Sequence, residues 1–254
     1  MRIQQIYAVY FSPTENTRRI VCQGASEAAR LFQVPCRAIS LNLPKDRETV
    51  HTFSAGDLVI VGGPTYAGKL PNKILPTYQE KLIGKGALAL AVVTYGNRSF
   101  DNSLAELCAT LDGNGFRTVA AGAFVGTHAF SDVLAPDRPD KDDLALMVRL
   151  TDMAVSKIRQ TDGMVPRLVV DGDARAPYYV PKGVDGQPAK FLKAKPKTDL
   201  EKCVSCGLCA RQCPMGSIDP DQPSVVTGIC IKCPRCVRNC PQGAKYFDDP
   251  AFLS

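Results

Sequence analysis

The sequence lacks several features that would place it in a large class at once. No run approaches the roughly 20 apolar residues that a membrane-spanning helix needs, and no small-residue cleavage site follows the early apolar run, which we therefore expect to be a first strand. The formal net charge is only +6, and no basic run is interleaved with aromatics. These absences lead us to expect a cytoplasmic protein with neither a membrane nor a nucleic acid as partner.

Two further absences concern cofactors. No G-x-G-x-x-G run follows a predicted strand, which argues against FAD or NAD as the main ligand. Tryptophan is missing, so stacking on a flat ring would fall to other aromatic residues. The 254 residues are enough for one large domain or for two unequal ones.

Cysteine, in contrast, is abundant and unevenly placed. The chain has 11 cysteines. Eight of them follow residue 202: Cys203, Cys206, Cys209, Cys213, Cys230, Cys233, Cys236 and Cys240. A secreted disulfide domain would also use many cysteines, but nothing here indicates secretion. Thiols at such short, regular spacing indicate a metal site.

The cysteines form an internal repeat. Residues 203–217 and 230–244 align when shifted by 27 positions, and each reads C-x2-C-x2-C-x3-C-P-x-G-[S/A]. This run resembles the ligand pattern of bacterial two-cluster ferredoxins. The alternative is structural zinc, but zinc pairs of the C-x2-C type are normally separated by a long spacer. The spacing therefore favours two [4Fe-4S] clusters.

The resemblance implies crossed ligation, in which the fourth cysteine of each run binds the cluster of the other. One cluster would take Cys203, Cys206, Cys209 and Cys240, and the other Cys230, Cys233, Cys236 and Cys213. Gly216 and Gly243 are expected to leave room for backbone near the clusters. Five basic residues lie among the ligands: Lys202, Arg211, Lys232, Arg235 and Arg238. Three roles are open for them: stabilising reduced clusters, forming an ordinary solvated surface, or docking an acidic redox partner.

The first 160 residues alternate between strand and helix patterns. Strands are predicted at 3–11, 34–40, 57–63, 87–96 and 118–126. Helices are predicted at 17–32, 74–83, 100–112 and 141–158. This alternation predicts an α/β fold with a doubly wound, five-stranded parallel sheet, which binds ligands at the carboxyl ends of its strands.

Polar or aromatic loops follow four of these strands at that edge. They read SPTENT (12–17), GGPTYAGKLP (62–71), TYGNRS (94–99) and GTHAFSD (126–132). The set resembles flavodoxin, with the first loop similar to its phosphate loop and the next two to the loops that enclose the FMN ring. With the cysteine repeat attached, the chain resembles the fused flavodoxin–ferredoxin proteins of anaerobic bacteria, and a small α+β ferredoxin domain is expected at the C-terminus.

The resemblance implies a set of FMN contacts. The phosphate would be held by Ser12, Thr14, Asn16 and Thr17, and the ring region by Pro64, Thr65, Tyr66, Gly68, Thr94, Tyr95, Gly96 and Asn97. Glu15 stands where many flavodoxins have Gly, and we expect its carboxylate to point outward. The alternative for the first loop is a plain helix N-cap, and for Tyr66 and Tyr95 ordinary half-buried packing. His128 is a candidate proton donor near the flavin edge, or an exposed polar residue.

Together these patterns predict three segments and one main function. The segments are an FMN domain at 1–160, a Pro- and Gly-rich connector at 161–198 that packs on the domains, and a two-cluster domain at 199–254. Flavin and clusters would relay electrons between two-electron and one-electron chemistry for a redox protein or a small-molecule acceptor. The rival hypotheses are an FMN-dependent reductase with its own substrate and a redox-sensing scaffold. A homodimer is left open.

Overall fold

The computed structural model describes residues 2–161, 163–182, 186–188 and 193–249. The strands in these residues are β1 (Gln5–Tyr10), β2 (Cys36–Ser40), β3 (His51–Thr52), β4 (Asp57–Pro64), β5 (Leu82–Ile83), β6 (Leu88–Tyr95), β7 (Arg117–Val125), β8 (Lys197–Thr198) and β9 (Lys245–Tyr246). The helices are α1 (Asn16–Phe32), α2 (Leu75–Lys81), α3 (Ser103–Gly113), α4 (Lys141–Gln160), α5 (Leu208–Arg211) and α6 (Arg235–Arg238), with a 3-10 turn at Pro44–Arg47.

The large sheet has the strand order β2-β1-β4-β6-β7, and every neighbouring pair is parallel. Counted among themselves, the five strands follow the order 2-1-3-4-5, which is the flavodoxin-like doubly wound arrangement. The predicted fold class is therefore confirmed, and the predicted strand and helix bounds agree with the observed ones to within a few residues.

Both faces of the sheet are covered, because its central strands are apolar on both sides. Leu58 and Ile60 of β4 face the core under α1 and α4, whereas Val59 and Val61 face the core under α2 and α3. This alternation is the period of two expected of a strand. All four side chains are fully buried.

One close approach sets the position of α1. A Cβ at Gly62 of β4 would lie 2.4 Å from Val21 Cγ2 and 2.9 Å from Thr17 Cγ2, so only glycine lets the helix come this near to the strand. The first turn of α1 is thereby held against the carboxyl end of the sheet.

The cysteine-rich region, which we define as residues 199–249, contains the short helices α5 and α6 and one strand of the antiparallel pair β8–β9. This is the small α+β unit that was expected at the C-terminus. The predicted connector, residues 161–198, lies partly outside the described residues. Where it is described, it follows the sheet: the Leu168 N–H donates to Thr118 O at 2.9 Å, and the Tyr179 N–H donates to Ala67 O at 2.8 Å.

No helix within the described ranges has both the length and the apolar character to cross a lipid bilayer.

Candidate functional site

Four loops meet at the carboxyl edge of the sheet; residues 12–17, 64–69, 94–97 and 126–132 are called the loop edge below. The Thr17 and Thr94 hydroxyls lie 2.7 Å apart and join the first loop to the third. The Thr65 N–H donates to Thr94 O at 2.7 Å and adds the second loop. Asn16 Nδ2 donates to Thr127 O at 3.1 Å and adds the fourth. The four loops named from the sequence are therefore brought together.

The first loop begins with a capping contact. Ser12 Oγ accepts a hydrogen bond from the Arg18 N–H at 3.0 Å, and the Ser12 N–H donates to Asn42 Oδ1 at 2.6 Å. Ser12 is only 2% exposed. Its hydroxyl thus has the capping role that the alternative interpretation foresaw, while Thr14 is half-buried beside it.

The start of α1 keeps two backbone donors for a ligand. The Arg19 N–H donates to Glu15 O, and Glu15 makes no side-chain cap. The N–H groups of Asn16 and Thr17 have no acceptor among the described residues. Because the N-terminus of a helix also carries partial positive charge, these donors suit an anion such as a phosphate.

Glu15 has a strained backbone and two cationic partners. Its φ of 68° lies in the left-handed region that favours glycine. Its carboxylate lies 3.0 Å from Arg18 Nη1 and 3.2 Å from Arg235 Nη1. The side chain was expected to point outward; it is 42% exposed, and it faces an arginine of the cysteine-rich region.

The two tyrosines proposed for ring stacking are both half-buried at the loop edge. Tyr66 and Lys69 exchange backbone hydrogen bonds of 2.7 and 3.2 Å across a turn whose Gly68 has φ +79°. Burial raises the pKa of Tyr66 well above its usual value, and the nearby Cys233 and Cys230 raise it further.

The other predicted ring residues are found in the same loops. Pro64 ends β4, Tyr95 ends β6, and the ring of Tyr95 lies 5.5 Å from that of Phe100. Gly96 and Asn97 follow directly, and Asn97 is exposed with φ +64°.

His128 lies against the third loop. A Cβ at Gly96 would lie 2.6 Å from His128 Cδ2, so the two residues are in close contact. His128 Nδ1 accepts a hydrogen bond from the Phe130 N–H at 3.3 Å, which leaves the proton of the neutral ring on Nε2. Burial lowers the pKa of His128, and the charge of Arg238 lowers it further. The neutral ring therefore predominates at pH 7.

One cysteine cavity is formed mainly by the second run. The cysteines that line it are Cys213, Cys230, Cys233 and Cys236. Apolar residues, including Met215, Ile218 and Phe247, complete the wall. This cavity is called the inner cavity because its walls approach the sheet.

A second cysteine cavity is formed mainly by the first run. The cysteines that line it are Cys203, Cys206, Cys209 and Cys240. Cys206 is exposed, as are the neighbouring Val204 and Leu200, and we call this the outer cavity. In both cavities the fourth cysteine comes from the other run, so the two sets of four are those that the ferredoxin resemblance implies.

The two runs are also alike in backbone detail. The Ser217 N–H donates to Cys213 Sγ at 3.4 Å, and the Ala244 N–H, 27 residues later, donates to Cys240 Sγ at 3.2 Å. Hydrogen bonds of this kind tune a cluster bound by the sulfur. Gly216 and Gly243 both have φ +60°, so each is needed for its backbone conformation, whereas the sequence suggested that they leave space near the clusters.

Two thiols of the inner cavity, those of Cys233 and Cys236, are buried and would lose their protons on binding a metal. Burial raises the pKa of Cys233 and of Cys236 to about 12, which keeps both thiols protonated at pH 7 in the absence of metal. Coordination to iron removes these protons and supplies the positive charge that the thiolates need.

The described residues contain no group of three or more His, Cys, Asp or Glu side chains close enough to hold a single metal ion.

The second run is fixed to the loop edge through Arg238, and the end of the first run is fixed to the rest of the molecule at Pro214 and Met215. Arg238 Nε donates to Ala129 O at 3.1 Å, and its guanidinium also pairs with Asp132. Arg47 Nη2 donates to Pro214 O at 2.6 Å. Met215 and Ile231 pack against the core beneath α2 and α3. The inner cavity is thereby held against the sheet.

The basic residues among the cysteines therefore differ in role. Arg235 and Arg238 bind the loop edge, a role that was not predicted from the sequence. Arg211 donates to Cys206 O at 2.9 Å, and Lys202 pairs with Asp199 on the surface. The alignment of the two runs, shifted by 27 residues, contained one indication of the role of Arg235, since Leu208 stands in the first run where Arg235 stands in the second.

Comparison with known families bears on the cysteine-rich region. Two family models described as "4Fe-4S binding domain" match residues 196–219 and 227–243. No curated protein sequence matches the chain. The C-terminal part is thus a ferredoxin-type region that binds 4Fe-4S iron–sulfur centres.

Solved structures with a likeness to the chain cover its N-terminal part. A flavodoxin from the domain Archaea is 14% identical, with a TM-score of 0.41, over 62% of this chain and 100% of its own. A flavodoxin of Streptococcus pneumonia TIGR4 is 16% identical, with a TM-score of 0.43, over 60% and 99%. An NADH:FMN oxidoreductase in its apo form is 19% identical, with a TM-score of 0.43, over 60% and 89%. The assignment of a flavodoxin-like fold rests on the strand order itself.

Proposed function

We propose that the protein relays electrons between a redox partner, two [4Fe-4S] clusters and FMN. The observation that carries this proposal is the contact between the second cysteine run and the loop edge, where Arg235 Nη1 donates to Pro13 O and Arg238 Nε donates to Ala129 O. When bound, FMN exchanges electrons in pairs or singly and iron–sulfur clusters exchange them one at a time. The partner is a redox protein or a small-molecule acceptor, and the protein acts in the cytoplasm, where thiols remain reduced.

In this proposal the chain is divided as the sequence suggests. Residues 1–160 bind FMN, residues 161–198 connect, and residues 199–254 bind the clusters. The inner cavity takes a cluster on Cys213, Cys230, Cys233 and Cys236, and the outer cavity takes one on Cys203, Cys206, Cys209 and Cys240. The exposure of Cys206 favours the outer cavity as the end that meets the external partner.

The chain's own groups supply the means to hold FMN. The Asn16 and Thr17 N–H groups and the hydroxyls of Thr14 and Thr17 would bind the phosphate, and the ring would lie near Tyr66 and Tyr95. A separate observation supports this fit. Within the described ranges, the Asn16 and Thr17 N–H groups are the backbone donors in the first turn of α1 that have no hydrogen-bond acceptor. Contacts from the remaining loop-edge positions would orient the ring: Pro64, Thr65, Gly68, Thr94, Gly96 and Asn97.

Analysis of the anaerobically purified protein tests the proposal as a whole. We expect about eight irons, a similar amount of acid-labile sulfide and one FMN per chain, because each cavity presents four cysteines suited to a four-iron cluster. Metal analysis, sulfide determination and flavin fluorescence measure the three quantities. Zinc in place of iron would contradict the cluster assignment, and a colourless preparation would contradict the proposal entirely.

A paired substitution tests the phosphate end of the site. Thr17→Val keeps the shape of the side chain and removes the hydroxyl, and we expect it to weaken FMN binding by about tenfold, because a charge-assisted hydrogen bond contributes about 1.5–3 kcal/mol. Thr17→Ser keeps the hydroxyl and should bind FMN nearly as the parent does. Fluorescence titration of the flavin-free protein measures both. Equal affinities for the two variants would mean that Thr17 serves only its partner Thr94.

A further inference from the structure

We propose that Arg235, a residue of the cysteine-rich region, is a positioning residue for the phosphate end of the FMN site. It lies between Cys233 and Cys236 in sequence, yet its guanidinium reaches the first loop of the loop edge. The inference rests on the proposed function, since it assigns to the ferredoxin-type region a part in binding FMN.

The contacts of Arg235 are made with three residues of the first loop. Arg235 Nη1 donates to Pro13 O at 2.5 Å and to Ser12 O at 3.4 Å, and it lies 3.2 Å from Glu15 Oε1. Its side chain is only 15% exposed. One partly buried cation therefore fixes both the backbone carbonyls and the carboxylate of the loop that leads into α1.

The negative charge of Glu15 explains why its contact with Arg235 would affect the binding of a phosphate. The carboxylate belongs to the residue that immediately precedes the Asn16 and Thr17 N–H groups, where it would repel a phosphate dianion. Arg18 also pairs with Glu15, but its side chain is 52% exposed, so solvent and salt weaken that pair. Arg235 is the less exposed of the two cations, and it holds the carboxylate toward the cysteine-rich region.

Arg235 has one further hydrogen-bond donor, its Nε–H, which these contacts do not use. Its Nε is buried and has no hydrogen-bond acceptor in the part of the chain that the structure describes. A buried guanidinium N–H without an acceptor is costly, and a bound anion beside it would remove that cost. The same side chain thus orders the loop and contributes positive charge for an anionic group next to it.

The internal repeat gives an independent argument. Arg211 and Arg238 occupy equivalent positions in the two runs, but the equivalent of Arg235 is Leu208. A role in holding a cluster would apply to both runs. A role toward the first loop applies only to the second run, which is the one in contact with it.

The test compares FMN with riboflavin, which has the same ring and no phosphate. Arg235→Leu introduces the residue found in the first run. We expect it to raise the Kd of FMN by about tenfold to a hundredfold and to leave the Kd of riboflavin within about twofold, because only the phosphate end loses charge-assisted support. Arg235→Lys should restore part of the FMN affinity. All titrations use the full-length protein with its clusters, and its iron content should not change.

A matched control and a second variant complete the design. Arg238→Leu removes the other arginine that ties the region to the loop edge, and it should leave the ratio of the FMN and riboflavin affinities unchanged. Glu15→Gln, combined with Arg235→Leu, should recover most of the lost FMN affinity, since the repelling carboxylate is gone. Glu15→Gln alone should bind FMN at least as tightly as the parent, so the charge argument can be tested even if Arg235→Leu folds poorly.

The outcomes separate this inference from the proposed function. If the parent binds FMN more tightly than riboflavin and Arg235→Leu weakens both ligands equally or neither, the positioning role is wrong and the FMN site stands. If Glu15→Gln weakens FMN binding, the electrostatic argument is wrong. If the parent binds FMN and riboflavin equally, the phosphate site itself is wrong, and both proposals fall.

Discussion

Replacing Cys213 and Cys233 together by Ala is expected to remove about four irons, no more than either substitution alone. Both sulfurs line the inner cavity, so the second substitution falls on a cluster that the first has already destroyed. Replacing Cys213 and Cys206 together should remove about eight, because Cys206 lines the outer cavity. Iron analysis of anaerobically purified variants measures these losses.

The paired design decides between crossed and uncrossed ligation. If each run held its own cluster, Cys213 and Cys206 would share one, and the pattern of additive and non-additive losses would be reversed. Cys240→Ala provides the matched control: combined with Cys206→Ala it should cost about four irons, and combined with Cys233→Ala about eight. The reversed pattern would contradict the assignment of the two cavities.

Replacing Lys69 by Met is expected to lower the free energy of unfolding by about 3–5 kcal/mol, because it leaves a buried carboxylate without its cation. Lys69 Nζ lies 2.9 Å from Glu106 Oε1, and the two side chains are only 6% and 8% exposed. Lys69 Nζ also donates to Ala174 O and Ala176 O, at 2.7 and 2.9 Å. The midpoint and slope of urea unfolding measure the change.

An exposed ion pair of the same length provides the comparison. Lys202 Nζ lies 2.9 Å from Asp199 Oδ2, with its side chain 62% exposed, so Lys202→Met should cost about 0–1 kcal/mol. Adding Glu106→Gln to Lys69→Met should recover part of the loss, since the unpaired charge is then removed. A cost for Lys69→Met as small as that for Lys202→Met would show that solvent reaches the pair.

The inner strands of the sheet were predictable because each is a short apolar run between turn signals. Strand β6 illustrates this, since Leu88–Val93 are buried on both faces and the run reads as a parallel interior strand without any tertiary information. The loops at its end followed from the same reasoning, because parallel strands place their carboxyl ends at one edge. What the loops bind came from resemblance, and FMN remains a proposal.

The connector could not be predicted in the same way. Its apolar residues, interrupted by Pro and Gly, recur neither every two residues, as in a strand, nor every 3.6 residues, as in a helix. The sequence therefore does not indicate which of its side chains are buried. Its attachment depends on single long-range contacts, such as Lys69 to Ala174 and Tyr178 to Leu70, whose partners lie more than 100 residues apart. Local patterning contains no information about such pairs.

The arginines of the second run show the same limit at the candidate site. Short spacing identified Arg235 and Arg238 as cations near the cysteines, but their partners are Pro13 and Ala129, which lie 222 and 109 residues away in the sequence. Glu15 was recognised as a departure from the expected glycine, and its left-handed backbone agrees with that comparison. Its pairing with Arg235 required the structure.

The two cysteine runs share their spacing and their backbone hydrogen bonds to sulfur, so the cysteine pattern alone does not determine which run faces the sheet. Leu208 and Arg235 break that equivalence: a leucine placed beside Pro13 and Glu15 would leave the carboxylate without a buried cation, whereas the arginine pairs with it. Position 235 thereby favours one of the two orientations, and in the proposed relay it helps to set which cysteine cavity lies next to the loop edge.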